Sequence, residues 1–195
     1  TFQIKGFEGF SITGTAGNDN INVSNAALGS ILYGGDGSDS FTTGVGADYI
    51  DGGAGNDSFN GVGQGDTIIG GSGNDSLNFD LSAETSDLTI NLATGKGVGA
   101  SWTGVEYLNG TLGSGNDTVV AKGMSFGNLF GGDGDDHLTL DYSGVQLDGT
   151  TVTYFQFNSA VSSGSNASIN RDSGGSQTFQ IKGFEGFSIT GTAGN

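Results

Sequence analysis

The stretch that decides the fold is "GGDGSDSFTTGVGADYIDGGAGNDSFNGVGQGDTIIGGSGNDSLN", residues 34–78. It divides into five consecutive nine-residue segments, which begin at positions 34, 43, 52, 61 and 70. Each segment is rich in glycine and carries an aspartate at its sixth position and a large apolar residue at its eighth. A short peptide repeated in this way predicts a solenoid, in which successive coils stack on one another.

Each nonapeptide predicts a tight turn followed by a very short strand. Its first six residues can turn sharply because glycine reaches backbone angles that are closed to other residues, and Asn and Asp tolerate the left-handed region. Its last three residues form a strand that points one apolar side chain inward. The inward set is Phe41, Ile50, Phe59, Ile68 and Leu77. Two nonapeptides then make one 18-residue coil of a flattened parallel solenoid.

The spacing of the aspartates predicts cation binding between coils. Every second turn stacks on the same edge, so Asp39, Asp57 and Asp75 would line one edge, with Asp48 and Asp66 on the other. Stacked carboxylates about 4.8 Å apart repel one another unless a cation screens them. Ca²⁺ fits best, because it accepts carboxylate and carbonyl oxygens in a flexible geometry. Mg²⁺ demands a stricter octahedron, and zinc prefers nitrogen or sulfur ligands.

The candidate calcium ligands are aspartate side chains and glycine carbonyls. Isolated relatives of the nonapeptide at 14–22, 112–120 and 131–139 add three aspartates to the five in register. The side chains are Asp39, Asp48, Asp57, Asp66, Asp75, Asp19, Asp117 and Asp136, and the backbone carbonyls are those of Gly34, Gly52, Gly70 and Gly131. Asp is also an ordinary turn former, but turns alone do not require it at every sixth position of a nine-residue frame. Gln64 replaces an expected glycine, so weaker binding or a different turn is expected there.

The composition excludes several classes of function. The chain has 195 residues, with 40 glycines, no proline, no cysteine and a net charge of −16. Nucleic acid is not expected as a partner, because phosphate binding requires a basic face. Membrane insertion is not expected either, since no apolar run is long enough to span a bilayer. Without cysteine, no disulfide holds the fold together, and the redox compartment cannot be inferred.

Longer repeats predict the domain organisation. "TFQIKGFEGFSITGTAGN" occurs at 1–18 and again, letter for letter, at 178–195. Residues 1–177 are therefore expected to form one full tandem unit, and 178–195 the start of the next identical one. A weaker internal twofold gives half-units of about 6–103 and 104–182, with 34–78 as the core nonapeptide block. The expected partners are neighbouring identical units placed end to end, while lateral self-association and surface glycans stay open.

The remaining sequence predicts strands and no helices. Glycine interrupts every candidate helix, whereas polar and apolar residues alternate at 88–92, 151–157 and 178–181. The predicted fold class is all-β, a parallel β-roll or β-helix solenoid with non-calcium β segments between the glycine-aspartate turns. "GMSFG" at 123–127, followed by His137, matches a nucleophile elbow. That motif requires a strand-turn-helix context, so no catalytic residue and no enzyme activity are expected.

Residues 34–78 resemble the RTX repeats (repeats in toxin, hemolysin-type calcium-binding) of bacterial secreted proteins. The resemblance implies a parallel β-roll, several Ca²⁺ ions, calcium-dependent folding and export by a type I system from a Gram-negative cell. It places the protein outside the cell or on its surface.

Two functions are compatible with this pattern. The first is a calcium-stiffened repeat of a long surface protein, such as an adhesin stalk, a surface-layer component or a matrix filament. The alternative is the calcium-folding module of a secreted toxin or hydrolase whose active domain lies elsewhere. A carbohydrate-binding solenoid is a third, weaker hypothesis.

Overall fold

The computed structural model describes residues 8–91, 94–97, 99–122, 125–141, 152–157, 165–171, 176–184 and 186–190. Within these residues the regular structure consists of β-strands, with no α-helix. The strands are β1 (Ser11–Thr13), β2 (Asn20–Asn22), β3 (Ile31–Asp36), β4 (Ser40–Thr42), β5 (Tyr49–Ala54), β6 (Ser58–Asn60), β7 (Thr67–Ser72), β8 (Ser76–Asp80), β9 (Thr89–Asn91), β10 (Lys96–Gly97), β11 (Ala100–Thr103), β12 (Tyr107–Thr111), β13 (Thr118–Lys122), β14 (Ser125–Phe130), β15 (His137–Asp141), β16 (Val152–Phe157), β17 (Ser165–Arg171), β18 (Ser176–Lys182) and β19 (Gly186–Thr190). The all-β prediction is confirmed.

The chain forms two compact units. The first comprises residues 1–79 and 98–107, and the second comprises 80–97 and 108–195. In the first unit, β1-β3-β5-β7-β11 form one sheet and β2-β4-β6-β8 the other. In the second, the strand orders are β10-β9-β13-β15-β19 and β16-β17-β18-β14-β12. The division into a tandem unit of 177 residues and two half-units stays a prediction.

In the first unit the nonapeptides stack as a parallel β-solenoid with an 18-residue coil. Phe41 lies opposite Phe59, and Phe59 opposite Leu77, in one sheet. Ile50 lies opposite Ile68 in the other. The Phe41 and Phe59 rings are stacked, with centroids 5.3 Å apart. All five side chains of the predicted inward set are at most 1 % exposed, so the core is the row of eighth-position residues.

Positive φ angles explain two of the glycines in each of the nonapeptides that begin at 34, 52 and 70. Gly53 and Gly55, at the second and fourth positions of their nonapeptide, have φ angles of 100° and 130°. Gly71 and Gly73 repeat this pattern at 107° and 136°. Side chains with a Cβ rarely adopt these angles, so the spacing of the two glycines is a requirement of the backbone.

The second unit combines parallel and antiparallel pairing. β9, β13, β15 and β19 pair in parallel, whereas β16, β17 and β18 pair antiparallel. The strands expected at 88–92, 151–157 and 178–181 are present as β9, β16 and part of β18.

Ser125 of the elbow-like motif begins a strand, while Gly123 and Met124 lie outside the described residues. No helix in the described part of the chain is long and apolar enough to cross a membrane.

Candidate metal centre

A ladder of buried aspartates links successive coils along one edge of the first unit. The backbone N–H of Asp39 donates to Oδ1 of Asp57 at 2.8 Å, and the N–H of Asp57 donates to Oδ1 of Asp75 at 2.8 Å. The ladder begins at Asp19, whose N–H donates to Oδ1 of Asp39. Asp39, Asp57 and Asp75 are at most 2 % exposed. The structure therefore brings together the three aspartates that the spacing assigned to this edge.

A second ladder occupies the turns that alternate with those of the first. The N–H of Ser30 donates to Oδ1 of Asp48 at 2.6 Å, and the N–H of Asp48 donates to Oδ1 of Asp66 at 2.9 Å. Both aspartates are 1 % exposed. Ser30 takes the place of an aspartate at the start of this ladder, so only two carboxylates face each other here.

The second unit repeats the same link with a slightly longer spacing. The N–H of Leu88 donates to Oδ1 of Asp117, and the N–H of Asp117 donates to Oδ1 of Asp136 at 2.7 Å. Both aspartates are 1 % exposed. The isolated nonapeptides at 112–120 and 131–139 thus reproduce the local geometry of the main block.

The second carboxylate oxygen is buried without a hydrogen-bond donor in three aspartates of the first ladder. These atoms are Oδ2 of Asp39, Asp57 and Asp75. A buried charged oxygen without a partner is costly, because it has lost its water and gained nothing in exchange. A bound cation would provide the missing interaction, so these atoms fit a metal site.

The glycine at the first position of the nonapeptide has no Cβ, and Oδ2 of the aspartate occupies the space beside it. A Cβ built on Gly52 would overlap both Oδ2 of Asp57 and the carbonyl oxygen of Gly70 in the next coil. Gly34 stands in the same relation to Asp39 and Gly52. Gly70 and Gly131 likewise face Oδ2 of Asp75 and Asp136, with the carbonyls of Gly104 and Gly183 beside them. Each space is therefore bordered by a carboxylate oxygen and a carbonyl oxygen.

This set of oxygens suits a hard cation. No cluster of three or more His, Cys, Asp or Glu side chains that could hold a metal occurs among the described residues. A site here would therefore combine few carboxylates with backbone carbonyls, which is a ligand set that Ca²⁺ accepts. Zinc is a poor fit, because it requires nitrogen or sulfur ligands.

Burial raises the pKa of several carboxyl groups in the ladders. For Asp57 the pKa rises from 3.8 to about 6, mainly through loss of hydration, and repulsion from Asp75 and Asp39 adds to the rise. The hydrogen bond from the backbone of Asp39 opposes it. Burial also raises the pKa of Asp48, Asp66, Asp75 and Asp117. Because the charged forms are disfavoured, a cation between coils would stabilise the folded state.

Two of the predicted aspartates have a different environment. Oδ2 of Asp66 accepts a hydrogen bond from the N–H of Gly63 at 2.8 Å. In this fourth nonapeptide the positive φ angles are at Gly61 and Gly65, so the turn differs, as Gln64 indicates. Oδ2 of Asp19 accepts hydrogen bonds from the N–H and the hydroxyl of Thr15. Both carboxylates already have donors, so they are poorer candidates than Asp57.

Glu106 also belongs to the first ladder, although it is not among the candidate residues that the sequence predicts. Its Oε2 accepts the N–H of Asp75 at 2.9 Å, as Asp75 does for Asp57. The N–H of Tyr107 then donates to the carbonyl of Asp75, as the residue after each ladder aspartate does. Glu106 is outside any nonapeptide, and its signal in the sequence was only the Gly-x-Glu that precedes a short strand.

A comparison with protein families agrees with this geometry. The family model of the RTX calcium-binding nonapeptide repeat matches the chain in 4 copies, at residues 33–68, 60–78 and 128–141. Residues 33–78 and 128–141 therefore match RTX calcium-binding repeats. The RTX match includes Asp39, Asp48, Asp57, Asp66, Asp75 and Asp136, whereas Asp19 and Asp117 lie outside it. A comparison with curated proteins finds no match.

Proposed function

We propose that this chain is a calcium-stiffened structural repeat of a long secreted surface protein, which folds when it binds calcium outside the cell. The observation that carries the proposal is the row of buried aspartate oxygens without donors, such as Oδ2 of Asp57 and Asp75. The RTX repeats are calcium-binding by family. An adhesin stalk, a surface-layer component or a matrix filament would each use such a repeat.

The two oxygens of each ladder carboxylate have separate roles in this account. Oδ1 of Asp57 fixes the register of the coils by accepting the N–H of Asp39. Oδ2 of Asp57 and the carbonyl of Gly70 would hold the ion beside Gly52. Bound calcium supplies positive charge between stacked carboxylates. The coils therefore associate only where the ion is present, because an uncompensated buried charge is costly.

The charge and composition of the chain support folding outside the cell. A chain with a net charge of −16 and 40 glycines has strong self-repulsion and a large entropy to lose on folding. It would stay unfolded where calcium is scarce, which suits export in an unfolded form through a type I system of a Gram-negative cell. Where calcium is abundant, ion binding would shift the equilibrium towards the folded state.

The letter-for-letter copy of residues 1–18 at 178–195 supports a structural role. Identical units in series add length, which a stalk or filament requires. The folding module of a toxin or hydrolase has no need of such a copy. Small-angle X-ray scattering of chains with one, two and three copies tests this part of the proposal. Stalk function predicts that the maximum dimension grows by a constant amount per copy in calcium.

Calcium binding itself is tested by isothermal titration calorimetry. Asp57→Ala and Asp75→Ala should each reduce the number of bound ions or weaken the binding, because each removes a buried Oδ2. Asp133→Ala is the matched control, since Asp133 is an exposed aspartate within a nonapeptide turn. Equal binding by all three variants and the unmodified chain would contradict the proposed ligands.

A further inference from the structure

The pentapeptide "GFSIT" occurs in two strands that have different neighbours. The copy at 9–13 contains β1, which pairs in parallel with β3. The copy at 186–190 is β19, which pairs in parallel with β15. Among the described strands, β1 and β19 each have one neighbour and stand at the end of a sheet. The same sequence therefore pairs in one copy with a strand that follows it in the chain, and in the other copy with a strand that precedes it.

The two pairings use opposite edges of the pentapeptide strand. The N–H of Gly186, which corresponds to Gly9, donates to the carbonyl of Asp136 on the β15 side at 2.9 Å. The N–H of Gly14 donates to the carbonyl of Tyr33 on the β3 side at 2.7 Å. Successive N–H groups of a strand point to opposite edges, and these two positions differ by an odd number of residues. Both neighbours can therefore pair with one strand at the same time.

The core row also lacks a neighbour at β1. Ile12 lies opposite Leu32, and in the other copy the corresponding Ile189 lies opposite Leu140. Leu32 and Leu140 are both fully buried. Ile12 is only half-buried, although Ile50 and Ile68 further along the same row are at most 1 % exposed. A residue equivalent to Leu140, placed on the outer side of β1, would complete the burial of Ile12.

The glycine of the pentapeptide is crowded by its neighbour in each of the two pairings. A Cβ on Gly9 would overlap the carbonyl oxygen of Gly29, on the side that leads to β3. A Cβ on Gly186 would overlap the imidazole ring of His137, on the side of β15. A side chain at this position would therefore meet the backbone of Gly29 in one pairing and the ring of His137 in the other.

We propose that "GFSIT" forms a joint strand between consecutive copies, paired on one edge with β15 of the first copy and on the other with β3 of the second. The partner is a second copy of this chain's own repeat. The parallel sheet and its core row would run from Leu140 through the joint isoleucine to Leu32 without interruption. This inference rests on the tandem array in the proposed function, and it adds the strand and the register at which copies meet.

Spin labels test the joint strand directly. The chain has no cysteine, so Thr139→Cys in the first copy and Ile31→Cys in the second label a two-copy chain uniquely. Both side chains face outward, and both lie opposite the serine of the pentapeptide: Thr139 opposite Ser188, and Ile31 opposite Ser11. Their Cα atoms should be two strand spacings apart, about 9.6 Å. Strong dipolar broadening in the continuous-wave EPR spectrum is expected in saturating calcium, and a spectrum equal to the sum of the singly labelled chains would overturn the inference.

Circular dichroism of the labelled chain separates the two proposals. Calcium-induced β-structure without broadening would refute the joint strand alone. Absence of calcium-induced β-structure, in the labelled and unlabelled two-copy chains alike, would refute the proposed function and the joint strand with it.

A matched pair of substitutions provides a second readout in the unlabelled two-copy chain. An Ile→Asp change at the joint isoleucine would place a carboxylate between two core neighbours. The same change at Ile12 of the first copy affects a half-buried residue at the end of a sheet. The joint substitution should lower the thermal midpoint by roughly 4–8 °C more than the terminal one. Equal effects would contradict the joint strand.

Discussion

The N–H of Asp57 donates to Oδ1 of Asp75 at 2.8 Å, while Oδ2 of Asp75 is buried without a donor. One oxygen of the carboxylate thus fixes the stacking of two coils, and the other is available to a cation. The same division holds for Asp39 and Asp57 one coil earlier. Because the two oxygens have different roles, substitutions can separate the stacking of the coils from the binding of the ion.

Asp57→Asn should change the stability in opposite directions with and without calcium. Asparagine keeps an oxygen that can accept the N–H of Asp39, but it lacks the charge that holds an ion. In chelator the variant should be more stable than the unmodified chain, because it removes a disfavoured buried charge. In calcium it should be less stable and should bind calcium roughly tenfold or more weakly, because calcium affinity depends on the number of charged ligands. In chelator, far-UV circular dichroism should show more residual β-structure for the variant than for the unmodified chain. In calcium, urea midpoints and calcium titrations measure the loss of stability and of affinity.

Asp57→Ala is the control for the asparagine variant. It removes the acceptor of the Asp39 N–H as well as the charge. Leaving that buried N–H without a partner should cost about 1–3 kcal/mol of unfolding free energy in either condition. The separation of the two roles would be refuted if alanine and asparagine lowered the urea midpoint in calcium by the same amount.

Acid should stabilise the calcium-free fold. The pKa of Asp57 rises from 3.8 to about 6 in the folded state, so the folded chain holds a proton that the unfolded chain has released between these values. The resulting stability is fully present below pH 3.8 and is lost as the pH rises through about 6. Far-UV circular dichroism in chelator should therefore show more β-structure at about pH 5 than at about pH 7.

Saturating calcium should reverse the sign of this pH dependence. Protons compete with the ion for Oδ2 of the ladder aspartates, so the calcium-bound fold should lose stability towards acid. A calcium-free fold that gains stability as the pH rises through 6 would contradict the raised pKa of Asp57.

Gly52→Ala should impair calcium-dependent folding. The added Cβ would overlap Oδ2 of Asp57 and the carbonyl of Gly70, so it would occupy the space assigned to the ion. Gly63→Ala is the matched control from the same block, because the nearest atom to its added Cβ is 4.0 Å away. The calcium midpoint of folding, followed by circular dichroism, should rise for Gly52→Ala and stay close to that of the unmodified chain for Gly63→Ala.

Glu106→Ala should destabilise the last turn of the first ladder. The N–H of Asp75 would lose its acceptor, at a cost of about 1–3 kcal/mol. Glu106→Gln retains an oxygen in the side chain and should recover most of that loss. Amide hydrogen exchange at Asp75 reports the effect locally. Protection of this amide that does not change in the alanine variant would show that Glu106 has no such role.

Much of the fold follows from local sequence. In the nonapeptides that begin at 34, 52 and 70, the glycines at the second and fourth positions have positive φ, the sixth residue links the coils, and the eighth fills the core. Each feature depends on residues within nine positions or on the copy in the next coil, so the period alone predicted the 18-residue coil and the buried set. The parallel stacking of Phe41 on Phe59 is one such outcome.

The exceptions depend on contacts that the period does not encode. The link between Glu106 and Asp75 joins residues 31 positions apart, because residues 80–97 belong to the other unit. The N–H of Gly63 donates to Asp66 in a turn whose positive φ angles are at Gly61 and Gly65, the first and fifth positions of the nonapeptide. Thr15 donates to Asp19 from the second position of its nonapeptide, where the repeats that begin at 34, 52 and 70 have glycine. Spacing could therefore identify candidate carboxylates, but it could not show which of them already have hydrogen-bond donors.

The most direct test of the central claim is far-UV circular dichroism during a calcium titration, with magnesium as the control ion. The account predicts a coil-to-β transition in calcium that is absent in magnesium and is lost when Asp57 and Asp75 are both changed to alanine, since both have a buried Oδ2 without a donor. A β-sheet spectrum that chelator leaves unchanged would contradict the account. The aspartates would then be turn formers alone, in a solenoid that folds without calcium.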